Sequence, residues 1–112
     1  MGETYAEPYN ANPGALARSI VVAAGAATLY GFTVYSSNAG SQFILVFDAA
    51  AIPADGAVPL YALPVAATNF VSVFYGDVGR TFIQGIVLCN SSTATTKTVG
   101  AADCFFDVQW CG

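Results

Sequence analysis

From Ala17 onward, Val, Ile, Phe, Tyr and Thr come in short bursts, broken by Gly, Asn, Asp or Pro about every eight to fifteen residues. That rhythm predicts strands. No window of about twelve residues escapes a proline, a glycine or a β-branched cluster, and no 3.6-residue period lasts two turns. The expected fold is all-β. Strands are expected over residues 18–24, 28–35, 42–47, 60–63, 69–75, 81–89 and 103–110, with one more exposed strand in the second half of 90–100. The first two read as a hairpin or as sequential neighbours.

Individual positions sharpen this reading. Residues 42–47 form a nearly continuous apolar run, as expected of a strand whose two faces are covered, one by a second sheet and the other by another subunit or an arm. Pro64 lacks the N–H that a central ladder needs, so its strand is expected at an edge or a bend. Lys97 is expected to protect the edge of the exposed strand. In residues 103–110, Cys104, Phe106, Val108 and Trp110 alternate with Asp103, Phe105, Asp107 and Gln109, giving a core side and a wetter side. The Asp-Gly pair Asp55-Gly56, with Pro53 and Pro59, makes residues 48–59 an ordered connection between sheets. Short antiparallel strands with one long connection suit a single-domain β-sandwich of Greek-key or jelly-roll wiring, with a small barrel as the alternative. Residues 17–112 make up this domain. Residues 1–16 read as an extended N-terminal arm, either a frayed end or a strap across a neighbouring subunit with Tyr5 and Tyr9 as anchors.

Composition narrows the function. The chain has 112 residues, 55% hydrophobic and only 9% charged, with net charge −4 and no histidine. Three scattered cations cannot replace the counterions around phosphate, so nucleic acid is excluded as a direct partner. A surface with so few charges is expected to be partly covered by another subunit. Without histidine there is no Ser-His-Asp, Cys-His or His-metal site, and the carboxylates stand singly, so no enzymatic role is expected. The uncharged run 19–47 could span a bilayer by length, but its Gly, Ser, Thr and Asn residues argue for strands and a turn, and no membrane partner is expected.

The chemically distinctive residues are few. Cys89, Cys104 and Cys111 form an odd set without CxxC spacing, which reads as free thiols in a reducing compartment and implies no metal or other cofactor. An acidic start with Glu3 and Glu7 is unlike a signal peptide, so residence in the cytosol of synthesis is expected. Arg80 follows Gly79 and lies near Asp77; it reads either as an intersubunit ion pair or carboxylate clamp, or as a surface salt bridge at a turn. The hydroxyls of residues 90–98, with Tyr61, Tyr75 and Trp110, could recognise a sugar, although Ser/Thr loops also serve simply to cover sheet edges. Asn90-Ser91-Ser92 matches a glycosylation acceptor, a chance match in a cytosolic chain.

Residues 47–59 (FDAAAIPADGAVP), 79–93 (GRTFIQGIVLCNSST) and 97–100 (KTVG) resemble small virion structural proteins of tailed bacteriophages. The resemblance covers roughly residues 40–110 and leaves the arm unmatched. It implies a short, all-β, jelly-roll-like, non-enzymatic protein. The nearest functional analogue is a capsid decoration or cement protein, which binds the major capsid protein on the virion exterior as a homo-oligomer, with a trimer expected ahead of a dimer. No binding residues carry over; Tyr5, Tyr9 and Arg80 are the interface candidates read from the chain itself. Two other readings stand beside it, a tail or head-fibre module that binds host-surface glycan and a filament-forming β subunit.

Overall fold

A computed structural model describes residues 9–112, and among them there is no helix. The strands are β1 (Tyr9–Ala11), β2 (Ser19–Ala23), β3 (Ala27–Ser36), β4 (Gln42–Asp48), β5 (Tyr61–Val65), β6 (Asn69–Phe74), β7 (Arg80–Phe82), β8 (Ile86–Ser91) and β9 (Cys104–Cys111). They form two antiparallel sheets. The first runs β1-β9-β3-β6, with β7 pairing β3 beyond the end of β6, and the second runs β2-β8-β4-β5. The pairs β1·β9, β2·β8, β3·β6 and β4·β5 are nested, so the outermost strands in sequence pair with each other and the innermost do likewise. The lateral pairs β3·β9 and β4·β8 join these nested hairpins into sheets.

Alternation explains how the two sheets share a core. Leu29, Phe32 and Val34 of β3, Phe82 of β7, and Phe106 and Val108 of β9 point inward from the first sheet. Val22, Ile44, Val46, Val65, Ile86 and Leu88 meet them from the second. Each such side chain contributes about 1.5–3 kcal/mol through burial. The expected alternation holds within β9, with Cys104, Phe106 and Val108 fully buried and Trp110 half-buried, but Asp103, expected on the wetter side, precedes the strand and is buried.

Several expectations need correction. The first two expected strands are not a hairpin, because β2 pairs β8 in one sheet while β3 pairs β9 and β6 in the other. The single strand expected at 81–89 is two strands, one in each sheet, parted at Gly85. A Cβ at Gly85 would run into the carbonyl oxygens of Ala23 and Ala49, so only glycine lets the chain cross there. Asp48 holds the crossing, accepting the backbone N–H groups of Ile83, Gln84 and Gly85 at 3.1, 2.7 and 3.3 Å. Those bonds, that of Gln84 foremost, hold its carboxyl below the usual aspartate range.

Residues 92–98 form no strand, and Lys97 guards no edge. Its side chain is buried and pairs with Asp55 at 2.9 Å, while the backbones of Gly56 and Ala57 bond that of Lys97. This clasp draws the 48–60 connection over the outside of the second sheet. There Leu45, Phe47, Val87 and Cys89 are buried with Ala49 and Ala57 packed on them. The both-sided burial expected of β4 is therefore real, but its outer cover is the chain's own connection rather than another subunit. Pro64 does lie on an edge strand, β5. Of the expected arm, residues 9–11 form β1, paired with the chain's own β9. The long uncharged run supplies β2, β3 and β4, and no described helix is long and apolar enough to cross a membrane.

A polar knot ties the sheets at one end. The Asp103 carboxylate, 9% exposed, accepts Asn38 Nδ2 at 2.8 Å, Asn90 Nδ2 at 2.9 Å, Gln42 Nε2 at 3.0 Å and Cys104 Sγ at 3.3 Å. Burial alone would raise its pKa; the donations from Gln42, Asn38, Cys104 and Asn90 together outweigh burial and lower it. Asp103→Ala strips three amide groups of their shared acceptor and is expected to cost on the order of 3 kcal/mol at pH 7, measured by urea unfolding. Because the folded pKa is depressed, the wild-type advantage is complete above the unfolded pKa and narrows as pH falls through the folded one. An advantage unchanged down to about pH 2 would show that the bonded form is not the carboxylate.

Candidate functional site

Among the described residues, the outer face of the first sheet has no cover of the kind that the second sheet receives. Register lays its side chains out in rows. Phe105, Tyr35 and Phe70 stand side by side across β9, β3 and β6, and Asp107, Thr33 and Ser72 form the next row. Asn10, Gln109, Gly31 and Phe74 form a third row across β1, β9, β3 and β6. Phe74 is 79% exposed, Phe70 62%, and Tyr35 and Phe105 39% each. Gly31 has a reason to be glycine, because a Cβ there would run into the Val73 carbonyl oxygen.

The polar members of this face largely bond one another. Thr33 and Ser72 share a hydroxyl–hydroxyl bond of 2.7 Å, and Gln109 Nε2 donates to Asn10 Oδ1 at 3.0 Å. Asp107 is the sole charged side chain in the three rows. Four exposed aromatic rings beside a single charge make a surface suited to shedding water against another surface.

The interface candidates named from sequence lie elsewhere. Tyr5 falls outside the described residues. Tyr9, 58% exposed, rests its ring 5.1 Å from that of Trp110, so it is anchored on its own chain. Arg80 opens β7 at the rim between the sheets, its guanidinium 5.1 Å above the Tyr61 ring, in a cation–π contact. The surface salt bridge with Asp77 does not form; among the described residues the one ion pair is Lys97–Asp55. Tyr9 and Arg80 share a row across the sheet, but β9 and β3 stand between them, which puts them about 14 Å apart.

The rim around Arg80 is chemically distinctive. The hydroxyls of Tyr61 and Tyr75 are both buried without a hydrogen-bond partner among the described residues. Burial raises the Tyr75 pKa, and the nearby positive charge of Arg80 offsets part of that rise. Both tyrosines turn their polar ends inward, and the Arg80 guanidinium occupies the face of the Tyr61 ring.

Three of the six hydroxyls of residues 90–98 bond within the loop, while those of Ser92, Thr95 and Thr96 face water. Ser91 Oγ donates to the Thr93 carbonyl at 2.7 Å, Thr93 Oγ1 bonds Thr98 Oγ1 at 2.9 Å, and Ser91 Oγ accepts the Thr98 N–H at 2.9 Å. Asn90 is fully buried and donates to Ala101 O and Asp103, a position closed to a glycan. Among the described residues no group of three or more His, Cys, Asp or Glu side chains could hold a metal ion.

What sequence reasoning missed is the aromatic face. The 69–75 strand is apolar on both sides, Phe70 and Phe74 on one and Val71 and Val73 on the other, so alternation alone could not say which side faces water. One signal was present, since Phe105 shares the polar side of β9 with Asp107 and Gln109 and is exposed there. Compared with protein-family models, with curated proteins and with solved structures, the chain finds no match.

Thiol reactivity reports on this packing. Burial, with Asp55 nearby, pushes the Cys89 thiol up to about 11; burial, with Asp103 beside it, pushes Cys104 up to about 12. Cys111 alone is half-buried. Iodoacetamide at about pH 8 is expected to add one label to the native chain, at Cys111, and three in urea, read by intact and peptide mass. Labelling of Cys89 or Cys104 in the native protein would contradict this packing.

Proposed function

We propose that the chain is a non-enzymatic structural subunit of a bacteriophage virion, a decoration protein that binds the outside of the capsid as a homo-oligomer and stabilises the shell. In this reading the two sheets are the layers of a β-sandwich. With β7 set aside as a short insertion, the nested pairing is that of a jelly roll, a long hairpin rolled so that β9 lies beside β3 and β8 beside β4. The observation that carries the reading is the contrast between the sheets' outer faces. One is sealed by the chain's own connection; the other presents Phe70, Phe74, Tyr35 and Phe105 to water.

Three further points support it. A subunit of a permanent assembly tolerates exposed aromatics because a neighbour covers them. Its ten charged residues in 112 suit a protein that spends its working life largely covered. The resemblance of residues 47–59, 79–93 and 97–100 to phage structural proteins points the same way. In this assembly the aromatic face and the rim bearing Arg80 are the contact surfaces, the major capsid protein is the partner, and the protein is made in the host cytoplasm.

Co-sedimentation of the purified protein with emptied phage shells, and separately with host cell envelopes, tests the reading. Saturable binding to shells at a fixed copy number, with a rise in the temperature at which the shells break, is expected. Binding to envelopes alone would overturn it in favour of host recognition, and open-ended polymers without shell binding would make the chain a filament subunit.

A further inference from the structure

We infer that two copies of the chain associate face to face through the outer side of the first sheet, about a two-fold axis close to Tyr35. The inference rests on the homo-oligomeric part of the function proposed above and names the surface that makes the oligomer.

Area is the first argument. At the exposures given above, Phe70, Phe74, Tyr35 and Phe105 present about 450 Å² of aromatic surface on one face. A stable pair of standard size covers about 800 Å² on each partner. The rings thus supply more than half of one side, and Thr33, Ser72, Asp107 and Gln109 around them supply a polar remainder. An apolar centre with a polar rim is the composition of an interface between proteins.

Symmetry places the axis. Face-to-face packing requires a two-fold that lies in the plane between the copies; running along β3 past Tyr35, it exchanges the β9 and β6 sides of the face, so Phe105 of one copy meets Phe70 of the other and the tyrosines meet at the centre. In this arrangement Asp107 of one copy stands opposite Ser72 of the other, and the two carboxylates lie about 10 Å apart across the axis, each facing a hydroxyl.

Closure is the third argument. A face packed on its own copy is isologous, so a pair uses up the surface and stops growing. The opposite face of the molecule cannot extend the stack, because the 48–60 connection already lies on it. The geometry therefore points to a closed dimer, not the trimer expected from the resemblance and not a filament.

Light scattering on the eluting full-length protein, from low micromolar to about 100 µM, tests this. The expected mass is twice the 11.5 kDa of one chain. Phe70→Ser combined with Phe105→Ser is expected to weaken the dimer by about thirty-fold or more, and Phe74→Ser by less, since it faces Gln109 of the other copy and not a ring. Val78→Ser, at a still more exposed apolar residue in the β6–β7 turn, is expected to leave the dimer intact. Far-UV circular dichroism and the urea midpoint check that each variant folds, which the exposure of these rings favours. A monomer throughout this range, a trimer, or a dimer indifferent to the Phe70 and Phe105 changes would overturn the inference. A dimer that ignores capsid shells would leave it standing and sink the decoration reading; a monomer that binds them would do the reverse.

Discussion

A buried carboxylate without a cation organises one end of this molecule. Asp103 sits where β9 begins, and its partners come from the turn after β3, from β4 and from β8, so a single side chain gathers segments of both sheets. An ionised group at such a site would be costly to desolvate if its bonds were incomplete. Here amide donors from Asn38, Gln42 and Asn90 supply the compensation, and Gln42 also bonds Ser36 Oγ at 2.8 Å. The Asp103 carbonyl accepts the Ser37 N–H and hydroxyl as well, both at 2.9 Å. A slip of β9 by one residue would turn Phe106 out of the core and carry Asp103 away from the amides that bond it. The knot and the hydrophobic alternation of β9 therefore enforce the same register.

Much of this could be read from the chain because it was local. The alternation of β9, the stop at Asp48, the edge position of Pro64 and the absence of helix each depend on a few neighbouring residues. What could not be read depends on partners far away in sequence. Lys97 looked like an edge guard among threonines, yet its charge is satisfied by Asp55, 42 positions earlier. Arg80 looked like half of a salt bridge with Asp77, yet it lies on the Tyr61 ring across the rim. The division of 81–89 between two sheets turns on carbonyls of Ala23 and Ala49 that no local window contains.

The candidate surface was illegible for a related reason. Both sides of β6 and of β4 are apolar, and apolar residues predict burial without saying what buries them. For β4 the answer lies within the chain, in a connection of small residues clasped by one ion pair. For β6 the described chain offers no such cover on the Phe70 and Phe74 side. The two sheets are thus alike in sequence texture and opposite in consequence, one completing the fold and the other leaving it open to a neighbour.

The nested pairing also bears on how the protein comes into being. Because β1 pairs β9 and β3 lies against β9 along nearly its whole length, the first sheet has no complete form until β9 has been made. A ribosome needs on the order of ten seconds to travel from β3 to β9. For that interval β3 lacks its principal neighbour and the core side of the first sheet stays unfinished, which exposes nascent copies to one another at the site of their synthesis.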